Sequence, residues 1–258
     1  MFAHFDHDPG SGLGIAFTDR HGGVSLPPFD TLNLGRSDLD DPTAVVENLR
    51  RVRDGIGLAA GRPVVTVRQE HTAEVLVVDE TVIEHWDDLS PIGDAAPGRP
   101  RLARADAMVT GLRGVALCIR VADCLPVLLA DAAAGVVAAV HAGRVGLAGQ
   151  ILPNAVRQMR TMGATAPVAW IGPSVCGGCY EVPVALRDEV DRAVPGSAAT
   201  TTWGTPSLDL AAGAERQLSE LGCPVTRIGG CTRTSSDLYS HRRDGADAGR
   251  LAGVVWLS

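Results

Sequence analysis

Three residues with reactive side chains stand where apolar runs end: His71, Cys124 and His141. Two imidazoles and a thiolate make a good ligand set for zinc. Three protein ligands leave a coordination position open, which is the pattern of catalytic rather than structural sites. Their separations match no zinc-finger spacing, so the donor types carry this reading. Asp123, beside Cys124, is a candidate to orient a ligand or an attacking water. Two other readings use the same residues. Cys124 as nucleophile with His141 as its base would give a cysteine hydrolase or amidase acting on a peptide or cell-wall precursor. Alternatively Cys124 is a buried thiol and both histidines are core residues satisfied by hydrogen bonds.

Anion binding must be local, because the net charge of −7 offers no general attraction for nucleic acid or an anionic membrane. All 23 basic residues are arginine, which excludes a Schiff-base lysine and a P-loop lysine. Arg242 and Arg243, with Arg250 and Arg20, are candidates for a guanidinium cluster that takes phosphate or carboxylate. The plainer reading of an Arg-Arg pair is a solvated surface with salt bridges. Ser25, Asn33 and Gln69 are the polar residues that could face a ligand, set against satisfying loop backbone. His4, His7, His21 and His85 lie in polar segments and read as bystanders.

The elements that must position these groups centre on residues 105–150. Val115–Val121, Val127–Ala130 and Val136–Val140 are short runs bounded by Gly, Asp or Pro, as buried strands are. Upstream, residues 11–35 read as a strand, a turn at Gly22-Gly23 and an extended loop. Asp40-Asp41-Pro42 caps a helix whose apolar stripe is Val45, Val46, Leu49, Val52 and Ile56. Strands are expected at Pro63–Arg68 and Glu74–Val78, and residues 84–104 read as a surface loop. Downstream, Gly146–Met162 reads as one amphipathic helix beginning just past His141, its N-terminus offering N–H groups to an anion. Strands at Val168–Ile171, Tyr180–Val182, Val225–Ile228 and Leu251–Leu257 alternate with helices over Ala185–Val194 and from Asp209 to Leu221. The class is α+β with mixed sheets, and no repeat divides residues 1–258 into more than a single domain.

The sequence has no signal-like N-terminus and no apolar run of membrane-spanning length, so a cytoplasmic protein is expected, with monomer as the default. Six cysteines in a chain this rich in core-forming residues do not suggest a disulfide framework. Cys118 and Cys223 read as small buried residues. Cys176-Gly-Gly-Cys179 has the spacing of a zinc knuckle or redox pair. A zinc ribbon needs a second such pair, and this one sits in a glycine loop, so a metal or redox role is the less favoured reading.

The motifs FTDRHGGVS (17–25), LNLG (32–35), VRQEH (67–71), ADAMVT (105–110), ADCLPVLLAD (122–131), VHAG (140–143), IGP (171–173), YEV (180–182), LDL (208–210), CT (231–232), YSHRRD (239–244) and GR (249–250) occur in family order. With them the chain resembles, over nearly its whole length, the YfiH family of laccase-domain, multicopper polyphenol oxidase-like proteins, now described as purine nucleoside phosphorylases. The resemblance implies a four-layer α/β/β/α arrangement and a metal site at His71, Cys124 and His141, with zinc expected and copper the alternative ion. It also implies phosphorolysis of adenosine, inosine, guanosine and methylthioadenosine, and adenosine deamination. Purine nucleoside and phosphate would be the partners. Arg20 falls where the family places a functional arginine. A copper-dependent phenol oxidase is a lower alternative, because none of the four methionines stands out as an axial ligand. A non-catalytic purine sensor is another.

Two departures from the family pattern stand out. Arg144-Val145 replaces the usual Trp-Arg after His-Ala-Gly, and Thr72 replaces Gly after the first metal histidine. The first removes an aromatic face and shifts a guanidinium by one position, which bears on substrate preference and leaves the three ligands intact.

Overall fold

The apolar runs flanking Cys124 and His141 pair as neighbouring strands in sheets built from both ends of the chain. In the computed structural model, which describes residues 1–35, 40–87 and 102–258, the chain begins with β1 (Phe2–Asp8), β2 (Leu13–Thr18) and α1 (Pro42–Gly55). It continues through β3 (Val64–Val65), β4 (Val75–Val77), α2 (Glu80–Glu84) and β5 (Ala107–Thr110). The central run is β6 (Val115–Val121), β7 (Leu125–Asp131), β8 (Val136–Ala142), α3 (Arg144–Ala148), α4 (Ile151–Thr161) and β9 (Val168–Ile171). The C-terminal part holds α5 (Val184–Ala193), β10 (Ala198–Thr200), β11 (Pro206–Leu208), α6 (Leu210–Glu220), β12 (Val225–Arg227), α7 (His241–Asp244) and β13 (Leu251–Leu257).

One sheet has the order β1-β2-β13-β6-β3 and a larger one β12-β9-β7-β8-β5-β4, with β10 and β11 forming a separate pair. Both large sheets are mixed: β3–β6, β4–β5 and β9–β12 pair in parallel and the remaining pairs are antiparallel. The fold class is therefore the mixed α+β arrangement expected from the sequence.

Strand alternation sorts the core into three apolar clusters. Leu117 and Ile119 of β6 cluster with Leu128 and Ala130 of β7, Val137 and Ala139 of β8, and Phe17 and Val255. Ala116 and Cys118 point the other way and join Leu49 and Val52 of α1 and the fully buried Trp256. Leu125, Val127, Leu129, Ala138 and Val140 pack instead on Leu152, Val156 and Met159 of α4 and Leu218 of α6. Burying an aliphatic side chain of this kind contributes about 1.5–3 kcal/mol, so these three clusters hold the sheet ends that carry the chemistry.

Local signals held where they were strongest. Asp41 caps α1, its carboxylate accepting from Thr43 N–H, with Pro42 in the first turn. Asp209 caps α6 in the same way, through Ala212 N–H. The helix expected over Gly146–Met162 is two helices, α3 and α4, broken at Gly149-Gln150, where Gln150 has φ 71°. Tyr180–Val182 forms only a single bridge, Glu181 to Ser207, and β3 is shorter than Pro63–Arg68. Residues 88–101 of the expected 84–104 loop lie outside the described residues. Among the described residues, no helix is long and apolar enough to cross a membrane.

Candidate metal centre

The chain passes between the two large sheets at the residues that matter. The segment from β3 to β4 leaves the smaller sheet for the larger, and His71 on it has φ 60°. The three-residue link from β6 to β7 makes the same crossing through Asp123, φ 87°, and ends at Cys124. Left-handed backbone costs a non-glycine residue free energy, and it is retained here where two sharp crossings bring side chains together. His141 comes from β8, next to Val140, which pairs with Ala107 of β5, and opposite Pro126 of β7.

The ligating atoms of His71, Cys124 and His141 all lie within 4.8 Å of one another. Cys124 Sγ is 3.7 Å from His71 Nε2, and the two imidazoles meet edge-on with centroids 4.8 Å apart. His71 is exposed, Cys124 half-buried and His141 buried, so the group opens outward on one side. Gly143 makes room for it: a Cβ there would come 2.6 Å from His71 Cδ2 and 3.1 Å from Cys124 Sγ.

Asp106, fully buried, organises two of the three ligands. Its Oδ1 accepts from His141 Nδ1–H at 2.7 Å and from the His71 backbone N–H at 3.1 Å. Its Oδ2 accepts from the Thr72 N–H and hydroxyl and from the Glu70 N–H. Holding Nδ1–H in this way leaves Nε2 of His141 as the ligand atom. Burial works against the Asp106 charge, but these donors outweigh it and bring the carboxyl down to about 2. Burial likewise opposes charge on His141, yet Asp106 and Cys124 raise its pKa to about 9. Burial raises the Cys124 thiol, and hydrogen bonds from His141 and His71 reverse that and lower it to about 6. The donor types, their convergence and the fixed histidine tautomer fit a zinc ion.

A cavity of about 310 Å³ opens beside the three ligands and is lined also by Gln69, Arg120, His241 and Arg250. That is the lower end of the range for small-ligand pockets. Gln69 pairs with both backbone groups of Arg120. Arg120 Nη2 donates to the Val67 carbonyl, and Arg250 Nη1 to the carbonyls of Ala248 and Gly249. Burial works against the Arg250 charge and pushes its pKa down, a cost that an anion beside it would offset.

The other residues singled out by sequence do not line this cavity, although Asp123 adjoins Cys124 and Asn33 Oδ1 accepts the Arg250 N–H at 2.8 Å. Arg20 donates from Nε to the Asp30 carbonyl and lies 4.7 Å over the Tyr239 ring. Ser25 and Asn33 both donate to the Asp40 carboxylate. Asp123 accepts from Thr232 and Ser240 hydroxyls and from the Arg242 N–H, which ties the Cys124 turn to the C-terminal segment. The Arg242 guanidinium stacks 4.2 Å from the Tyr180 ring, and Arg243 donates to the carbonyls of Thr232, Ser235 and Leu238. Sequence reasoning passed over Asp106, Arg120 and His241. The ADAMVT motif was a pointer to Asp106, because an aspartate opening an apolar run needs donors once buried.

Fold and site together define a mixed α+β protein whose two large sheets converge on a His-Cys-His group able to hold a metal ion. The chain belongs to the family described as "Multi-copper polyphenol oxidoreductase laccase", which matches residues 14–258. It is similar to purine nucleoside phosphorylase SCO2081 of Streptomyces coelicolor, at 47% identity over 258 residues, 97% of this chain and 98% of that one. Among solved structures it resembles YlmD from Geobacillus stearothermophilus, with TM-score 0.83 and 28% identity, covering 97% of this chain and 94% of that one. YfiH from Bacillus licheniformis superposes with TM-score 0.82 at 25% identity, covering 95% of this chain and 93% of that one. The resemblance to YfiH proteins seen in the sequence motifs thus holds for the fold as well.

Proposed function

We propose that this chain is a zinc-dependent purine nucleoside phosphorylase acting on adenosine, inosine, guanosine and methylthioadenosine, with adenosine deamination as a second activity of the same site. The observation that carries the reading is the cavity where His71, Cys124 and His141 share a wall with Arg120 and Arg250. The relative named as a purine nucleoside phosphorylase supports the substrate class.

His71, Cys124 and His141 would hold the zinc ion, which would supply a Lewis acid there. The protein's own groups do the rest. In phosphorolysis a phosphate oxygen bonds to ribose C1′ as the C1′–N9 bond breaks, and the purine leaves with the bonding electrons and takes up a proton. Arg250 and Arg120 hold the phosphate, where guanidinium forks match its oxygens. Arg20 and Ser25, the candidates from sequence for holding phosphate, bond instead to the Asp30 carbonyl and the Asp40 carboxylate. His241 donates from Nδ1 to the Gly245 carbonyl, which leaves Nε2 to exchange a proton with the departing base. Asp106 keeps His141 in one tautomer throughout.

The test is chromatography of adenosine incubated with zinc-loaded protein, with and without phosphate, beside Cys124→Ala. Adenine formed only with phosphate, and lost in the variant, supports phosphorolysis at this site. Inosine formed without phosphate would make deamination the primary activity, and untouched adenosine throughout would overturn the substrate assignment. One observation favours a second reading: Asp106, His141 and Cys124 line up as orienter, base and thiol. A cysteine hydrolase of that kind would remain active without metal and lose activity on alkylation of Cys124.

A further inference from the structure

The Cys176–Cys179 pair lacks a partner in the local sequence, but the fold supplies one. Cys231 is brought to the pair by a parallel bridge between Ser174 and Cys231, with Ser174 N–H donating to the Gly230 carbonyl and Thr232 N–H to the Ser174 carbonyl. The sulfurs of Cys176, Cys179 and Cys231 all lie within 4.8 Å of one another. The Cys176 backbone N–H points at Cys231 Sγ at 3.5 Å, a contact that favours thiolate over thiol. The Cys176 carbonyl accepts from both Cys179 and Tyr180 N–H groups, which fixes the turn between the first two sulfurs. Arg233, the second residue after Cys231, donates to the Cys179 carbonyl and stacks 4.9 Å from the Trp203 ring, so a cation stands beside the cluster.

We propose that Cys176, Cys179 and Cys231 form a second metal site that binds one zinc ion through three thiolates and leaves a fourth position open on the side of exposed Cys176. A zinc–sulfur distance of about 2.3 Å puts tetrahedral ligand sulfurs about 3.8 Å apart, a small contraction from the arrangement present. Three thiols release three protons on binding, and Arg233 offsets the single net negative charge of the product. A disulfide would use only two of the three convergent sulfurs, and all are free thiols here. The site also has a structural consequence for the first. Val175 N–H donates to the Asp123 carbonyl, and the Thr232 hydroxyl donates to the Asp123 carboxylate. Residues next to Cys176 and Cys231 thus grip the residue that precedes Cys124, and a metal joining those cysteines fixes that grip.

The inference does not depend on the phosphorylase reading, and its test needs no substrate. Reduced, metal-stripped protein is titrated with zinc against a chromophoric chelator. Wild type should take up two equivalents, Cys176→Ser and Cys124→Ala one each, and the double variant none. Cobalt bound to Cys124→Ala should show thiolate-to-cobalt charge transfer that Cys176→Ser removes. Cys176 is exposed, so its replacement tests the site without opening the core. A single equivalent in wild type that Cys124→Ala abolishes overturns the proposal.

Discussion

Asp106 Oδ1 lies 2.7 Å from Nδ1 of His141, and the same oxygen accepts the His71 backbone N–H. One buried carboxylate thereby sets the tautomer of one candidate ligand and the backbone of another. Asp106→Ala removes every one of these acceptors. Zinc affinity, measured by chelator competition, should fall roughly 10–100-fold, the usual cost of losing a group that orients a metal-bound histidine. Unchanged affinity would show that the sheet register alone holds His141 in place.

Gly143 is a space requirement. In Gly143→Ala the new Cβ would lie 2.6 Å from His71 Cδ2, and the ring must turn away. Zinc binding should weaken at least tenfold, while the melting temperature of the metal-free protein changes little, because the methyl meets the open site rather than a packed core. Wild-type affinity in this variant would mean that His71 is not a ligand.

Arg250 should govern phosphate. Arg250→Met keeps the aliphatic stem and removes the guanidinium. Loss of a charge-assisted hydrogen bond of about 1.5–3 kcal/mol predicts a phosphate KM raised roughly 10–100-fold, with nucleoside KM little altered. If only kcat falls, Arg250 acts on the reacting centre and not on phosphate capture.

Thiol reactivity gives a pH signature for the metal-free protein. Thiolate is the reacting form, and Cys124 is lowered to about 6 by His141 and His71 acting against burial. Its alkylation rate should be near its plateau at neutral pH and fall as pH drops through about 6, and zinc should protect it. Burial pushes Cys118 up to about 12, so it stays unmodified over the same range. Peptide mapping by mass spectrometry follows both. A Cys124 profile centred at the ordinary thiol pKa would remove the thiolate–imidazolium pairing.

The sequence by itself determined the elements whose signals are local. The runs that became β6, β7 and β8 announce themselves by composition and by bounding Gly, Asp and Pro, and α1 by its Asp41-Pro42 cap and its apolar stripe. The same reading placed Cys124 and His141 at strand ends, where reactive side chains beside apolar runs are visible in one dimension, but His71, expected at a strand end too, lies on the β3–β4 connection six residues past Val65. It missed the break at Gln150, because a left-handed residue other than glycine leaves no mark in the apolar spacing of α3 and α4. Only the tertiary structure decided which polar groups share a site. Asp106 meets His141 from 35 residues away through the β5–β8 pairing, and Thr232 reaches Asp123 across 109. Arg250, not the Arg242-Arg243 pair, lines the cavity, and Cys231 completes a cluster that the Cys176–Cys179 spacing could not foretell. The physical reason is that helix and strand patterns record nearest neighbours along the chain. Sheet register and the two crossings between sheets, which no local pattern encodes, bring distant side chains within bonding distance.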